Sequence, residues 1–191
     1  MKSLKMGLGV AALVLAGMTT GAMADSYALD PVHSTTVFRI KHLNTAYVYG
    51  RFDGPEGTVN YDPAAPEQTT FDVTLQAAKI DTGNDQRDNH LKSPAFFNAK
   101  EFATLTFKST GVKKVDDTTL EVTGDLTIHG VTKSVTVKVD VTGMGKDPKG
   151  NPVVGFESTF TVNRNDYGIT EFPGMLGDDV RFTISIEGDK K

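Results

Sequence analysis

Alternation with a period of two runs through most of this chain and restricts it to strands with one apolar face. Phe71, Val73, Leu75 and Ala77 alternate with Asp72, Thr74 and Gln76. Leu120, Val122, Leu126 and Ile128 repeat the pattern within 119–128, and Val135, Val137, Val139 and Val141 repeat it within 134–142. Val180, Phe182, Ile184 and Ile186 carry it near the C-terminus. Shorter strands are predicted at 34–42, 46–52, 56–62, 103–109 and 153–163, where Thr, Val and Phe suit a pleated surface. Turn signals separate them: Asp53-Gly54-Pro55, a tight His129-Gly130 hairpin, and a Gly/Lys/Asp/Pro-rich loop over 143–152. Thr82 to Asn98 breaks the alternation and reads as short helical turns. Asn84 or Asp85 is the first cap there, and Ser93 before Pro94 a second helix start. Residues 163–179, with Gly168, Gly174 and Gly177, read as a long loop. Antiparallel strands with a polar outer face leave a sandwich or a closed barrel. About eight strands close around an interior that side chains fill or that holds one small ligand.

The N-terminus sets the compartment. Lys2 and Lys5 precede an apolar run from Gly7 to Gly17, and Ala22-Met23-Ala24 offers small residues at a cleavage site. The expectation is a secretory signal peptide over 1–24, one domain over 25–191, and a periplasmic location. The run is shorter than the ~20 residues that span a bilayer, and the absence of cysteine excludes a lipoprotein anchor and disulfides. No stable membrane anchor is therefore expected. Acidic residues (24) outnumber basic ones (20), with no basic block, so nucleic acid is a poor partner.

Parity also singles out polar residues on apolar faces. His42 shares the face of Phe38 and Ile40; Lys133 shares that of Val135 and Val137; Ser158 lies between Phe156 and Phe160. An inward cation needs a partner or a place near a barrel mouth. His42, Lys133, Arg87 and His90 are thus candidate contacts for a polar head group. The plainer readings are Lys133 snorkelling to water, Ser158 as a satisfied hydroxyl or at a bulge, and Arg87-Asp88 as a local ion pair. His33, His42, His90 and His129 have no ligand spacing to one another, so no metal is expected. No nucleophile elbow, phosphate loop or dinucleotide fingerprint is present.

Several segments, in order, carry a resemblance: Y-A-L-D-P-V-H at 27–33, F-R-I-K-H-L at 38–43, I-D-T-G-N-D-Q-R-D-N-H-L-K-S-P-A-F-F-N at 80–98, F-A-T-L-T-F-K-S at 102–109, G-D-L-T-I-H-G-V-T-K at 124–133 and N-R-N-D-Y-G-I at 163–169. Together the chain resembles the YceI-like family of bacterial periplasmic proteins. Ala103 stands where members commonly carry Pro, and Phe102 where they carry Tyr. The resemblance implies an all-β, lipocalin-like, antiparallel eight-stranded barrel with a short helical insertion around 84–98. It also implies a long bound amphiphile, such as a polyprenyl phosphate, a ubiquinone or a fatty amide, with its tail in an apolar barrel tunnel and its head near the mouth, no other cofactor and no established catalysis. The tail-lining candidates are Phe38, Ile40, Phe71, Val73, Leu75, Leu105, Phe107, Val137, Val139, Phe156, Phe160 and Phe182. A lipid-acting enzyme built on His42, Arg87, Asp88 and His90, and an interaction protein with a filled barrel, are the alternatives. Association as a homodimer is left open.

Overall fold

In the computed structural model, which describes residues 24–191, the alternating segments become strands. The leader reading falls on residues outside the described ones. The order is β1 (Asp25–Leu29), β2 (Thr35–His42), β3 (Ala46–Phe52), β4 (Glu56–Tyr61), β5 (Thr70–Gln76), β6 (Ile80–Asp81), α1 (Asp85–Leu91), β7 (Thr104–Lys114), β8 (Thr119–Ile128), β9 (Val131–Lys146), β10 (Pro152–Asn163) and β11 (Leu176–Lys190). All pairings between these strands are antiparallel.

Closure follows from β1, which pairs with both β4 and the end of β11. The ring β1-β4-β5-β7-β8-β9-β10-β11 is a closed eight-stranded antiparallel barrel, in which β9 and β10 pair over only part of their length. The other three strands form a flap. β11 is long enough to hold two neighbours in turn: Leu176–Ser185 pairs with β2, and Gly188–Lys190 with β1. β3 then pairs with β2, and β6 with the end of β3. The Asp53-Gly54-Pro55 turn therefore joins the flap to the ring and closes no hairpin.

Two expected features differ. Ser93 opens no second helix. Its N–H donates to the His90 carbonyl, and Phe96 and Asn98 donate back to the Ser93 carbonyl, which makes isolated turns. That segment is ordered instead by burial of Phe96 and by Phe97 set edge-on to Phe52. The 163–179 loop is shorter than expected, because Arg164–Tyr167 forms a 3₁₀ turn and β11 already begins at Leu176. A bulge between Leu176 and Val180 removes the alternation that would have marked the start of β11. β1 carries no legible period, because Tyr27 and Leu29 are its only buried residues.

His129-Gly130 forms the expected two-residue hairpin, with both residues at positive φ as that turn requires. Asn84 is the α1 cap, its side chain accepting from the Arg87 N–H at 2.9 Å. Ser158 sits where the β9–β10 ladder ends at Glu157 and Asp140, and its hydroxyl donates to the Lys138 carbonyl at 2.6 Å.

The inward side chains form two clusters. One includes Phe38, Phe52, Leu75, Leu105, Leu126, Val162, Tyr167 and Phe182. The other holds Tyr27, Tyr61, Phe71, Val73, Leu120, Val122, Val154 and Phe156. Phe107 and Ile184 pack against both. At the second cluster's end, the Asp30–Ser34 turn ties β1 to β11: the Asp30 N–H donates to the Glu187 carbonyl, and Ser34 Oγ accepts from the Glu187 N–H.

That turn is pH-sensitive. The Val32 N–H, and then the His33 ring, hold the Asp30 carboxyl below its ordinary 3.8. The hydrogen bond to Asp30 raises the His33 ring above 6.5. Stabilisation from His33 is full below 6.5 and is lost as pH rises through the raised value. That from Asp30 is present above 3.8 and is lost as pH falls through the lowered one. The stability deficit of His33→Gln in urea titrations should be greatest near about pH 5 and shrink as pH rises above 6.5 through the raised value. A deficit unchanged over that range would mean the ring acts by packing alone.

Candidate functional site

The first cluster does not fill its end of the barrel. A cavity of about 380 Å³ remains there. Its wall comes from β2 (Phe38, Ile40, His42), β3 (Val48), β8 (Ile128), β10 (Val162) and β11 (Leu176, Val180, Phe182). Leu91, Phe96 and Phe97 cover it from one side, and Tyr167, Ile169, Phe172 and Met175 from the other. The strands thus supply aliphatic and aromatic walls, while the two segments that broke the alternation supply the cover.

The wall is mostly apolar inside, with buried Arg164 among its lining, and polar at the exposed rim. Arg87 and His90 are exposed members of it, His42 is half-buried, and Phe172 and Met175 stand in solvent beside them. The His90 ring packs edge-on against Phe96 at 5.1 Å and Phe172 at 5.8 Å. Arg87 is positioned through Thr82: its Nε donates to Thr82 Oγ1 at 2.7 Å and one terminal nitrogen to the Thr82 carbonyl at 2.8 Å. Thr82 in turn donates both its N–H and its hydroxyl to buried Asp88. The expected direct ion pair between Arg87 and Asp88 is therefore replaced by a bridge through Thr82. This arrangement leaves Arg87 with unused donors at the rim, where a planar fork suits an anionic group.

The second cover is fastened by Arg164, which is buried at 5 % exposure. It donates to the carbonyls of Ile169 (2.9 Å), Glu171 (2.7 Å) and Gly177 (3.0 Å), and lies 3.5 Å from Asp178 Oδ1. His129 adds a contact of 3.1 Å from Nδ1 to the Tyr167 carbonyl, and its ring sits against Phe102. Both residues hold the cover in shape.

Of the residues singled out in the sequence, Phe38, Ile40 and Phe182 lie on the cavity wall, as do His42, Arg87 and His90 at its rim. The other nine tail-lining candidates lie off this wall. Leu75, Leu105 and Phe160 belong to the packing of the first cluster. Phe71, Val73, Val137, Val139 and Phe156 belong to that of the second, and Phe107 to both. Parity put them inside correctly, but inside is mostly filled. Lys133 faces Leu126 across β8 and β9, also off the wall. Sequence reasoning missed Thr82, Arg164, Tyr167, Phe172 and Met175. The available signal was the apolar content of two segments read as irregular: Phe96-Phe97, and Tyr167, Ile169 and Phe172.

Away from the cavity, Asp30, His33 and Glu187 bring possible ligand atoms within 4.8 Å of one another. Asp30 already spends one oxygen on backbone N–H groups and the other on the His33 ring. Among the described residues no helix is long and apolar enough to cross a membrane.

A YceI-like domain model matches residues 27–188. A UPF0312 protein of Ectopseudomonas mendocina is 41% identical over 183 residues, covering 94% of this chain and 96% of that protein. The solved structure of a Campylobacter jejuni YceI protein superposes with a TM-score of 0.72 at 33% identity, over 79% of this chain and 90% of the other. A polyisoprenoid binding domain from Saccharophagus degradans, implicated in plant cell wall breakdown, shares the fold with a TM-score of 0.69 at 15% identity, over 89% of this chain and 100% of that one.

Proposed function

The chain belongs to the YceI-like family, and on that premise we propose that it is a periplasmic carrier of an amphiphile. The apolar tail occupies the cavity and the head group meets Arg87, His90 and His42. One observation carries the reading: mostly apolar side chains line the interior while these polar ones gather at the exposed rim. Each buried methylene of a tail contributes about 0.8 kcal/mol, so affinity needs few polar contacts. The polyisoprenoid-binding neighbour supports a lipid of that kind. The leader directs the chain to the periplasm, where a carrier shields such a tail from water.

Native mass spectrometry of the protein from a periplasmic extract, with organic extraction beside it, tests the proposal. A stoichiometric lipid mass is expected. A clean protein that also refuses added prenyl phosphate would sink it. Val180→Trp, which places an indole in the cavity, should lower uptake at least about tenfold and shift stability by no more than about 1 kcal/mol. Equal loading by the folded variant would remove this cavity from the proposal. Arg87→Gln should weaken a prenyl phosphate about tenfold and leave the matching prenyl alcohol unchanged, since only the anion gains a charge-assisted bond. Equal loss for both ligands would assign Arg87 to shape alone.

A further inference from the structure

On β2 and β11 the cavity wall stops at the same register row, and on β10 one inward position earlier. On β2 it includes Phe38, but not the next inward residue, Thr36, which is fully buried. On β11 it includes Phe182 but not Ile184, and on β10 Val162 but not Phe160. On β8 it includes Ile128 but not Leu126.

That register row is aromatic. Phe38 faces Phe182 across β2 and β11, and Phe182 faces Phe160 across β11 and β10. The Phe160 and Phe182 rings stack at 5.6 Å and an interplanar angle of 18°, and Phe38 lies 6.1 Å from Phe182. On the far side of Phe38 the register places Gly50, and any side chain there would collide with the Phe38 ring. The glycine admits that ring into the row. Beyond the row lies the second cluster, where Phe156 packs edge-on between Tyr61 and Phe71.

We infer that Phe38 and Phe182, the latter backed by the stacked Phe160 ring, form the floor of the cavity and restrict the ligand to a short tail of about fifteen carbons, three isoprene units. This rests on the carrier reading above and narrows its substrate class. An upper bound follows from volume: a dry cavity of roughly 150 Å³ accepts benzene, about 25 Å³ per carbon, so the cavity here, its open rim included, takes at most about fifteen. A tail of eight isoprene units would have to displace the floor and the packed cluster behind it.

The test is a chain-length series of prenyl phosphates with 10, 15, 20 and 40 carbons, each presented from methyl-β-cyclodextrin and read by native mass spectrometry with dye displacement. Affinity should rise at least about tenfold from 10 to 15 carbons, then level off or fall. A 40-carbon ligand bound tenfold more tightly than the 15-carbon one would overturn the short-tail inference and leave the carrier reading standing. Failure of every member to bind would remove the carrier reading and the inference with it. Phe182→Ala and Phe38→Ala, each checked for native circular dichroism, should move the break toward 20 carbons. A break that stays at 15 in both folded variants would overturn the assignment of the floor.

Discussion

Truncating Phe156 to alanine should cost about 4 kcal/mol, the largest single loss expected in this barrel. The side chain is 1 % exposed. Its ring packs edge-on against Tyr61 at 5.3 Å and Phe71 at 5.2 Å, joining β4, β5 and β10 across the interior. Removing it deletes the transferred surface and both aromatic contacts, and the paired strands on each side cannot collapse into the void. The same truncation at Phe172, 39 % exposed at the cavity mouth, should cost under about 1 kcal/mol. Urea unfolding of the two variants checks the contrast. Equal losses would mean that the two ends of the barrel are packed alike. A folded Phe156→Ala protein should also retain the wild-type chain-length break, because its void lies behind the aromatic row and not on the cavity side.

Arg164→Ala should destabilise the protein by about 3 kcal/mol and weaken ligand binding in parallel. The guanidinium bonds three carbonyls drawn from both ends of the segment that covers the cavity. Bonds of this charged kind contribute about 1.5–3 kcal/mol each, and some of the freed carbonyls can turn to water, so the sum is not additive. Without the clamp, Tyr167, Ile169 and Phe172 lose the frame that holds them over the cavity. Arg164→Lys keeps the charge but not the fork, and should recover less than half of the loss. Urea midpoints and dye displacement on both variants provide the check. A fully stable Arg164→Ala protein, or one with unchanged affinity, would show that the cover does not depend on this residue.

The strand framework was legible because alternation in β5, β8, β9 and β11 reports a local fact: each strand has one dry face. Val73 and Val122 are buried and Asp72 and Asp125 exposed, as their parity requires. Local signals also sufficed for the Asn84 cap and the His129-Gly130 turn, whose geometry depends on a few neighbouring residues. Ser93-Pro94 shows the limit of such signals. It carries the chemistry of a helix start, yet the chain there is organised by where Phe96 and Phe97 can be buried.

Of the residues singled out in the sequence, three lie on the cavity wall and three at its rim, while nine of the tail-lining candidates pack elsewhere. The reason is physical. Parity distinguishes inside from outside, and it is the same for a side chain that fills the barrel and one that borders a void. Phe182 and Phe156 have the same parity on neighbouring strands, yet one borders the cavity and the other fills the closed end. Their fates are separated by the register between β2, β3, β10 and β11, which aligns Gly50, Phe38, Phe182 and Phe160 in one row. Register is a relation between distant segments, as is the reach of Arg164 from the end of β10 to the start of β11. The sequence by itself determined that the chain forms antiparallel strands with a shared dry interior, since each strand's pattern is local. Only the tertiary structure decided where that interior remains open and which loops close it, since a void is defined by the side chains that fail to meet across it.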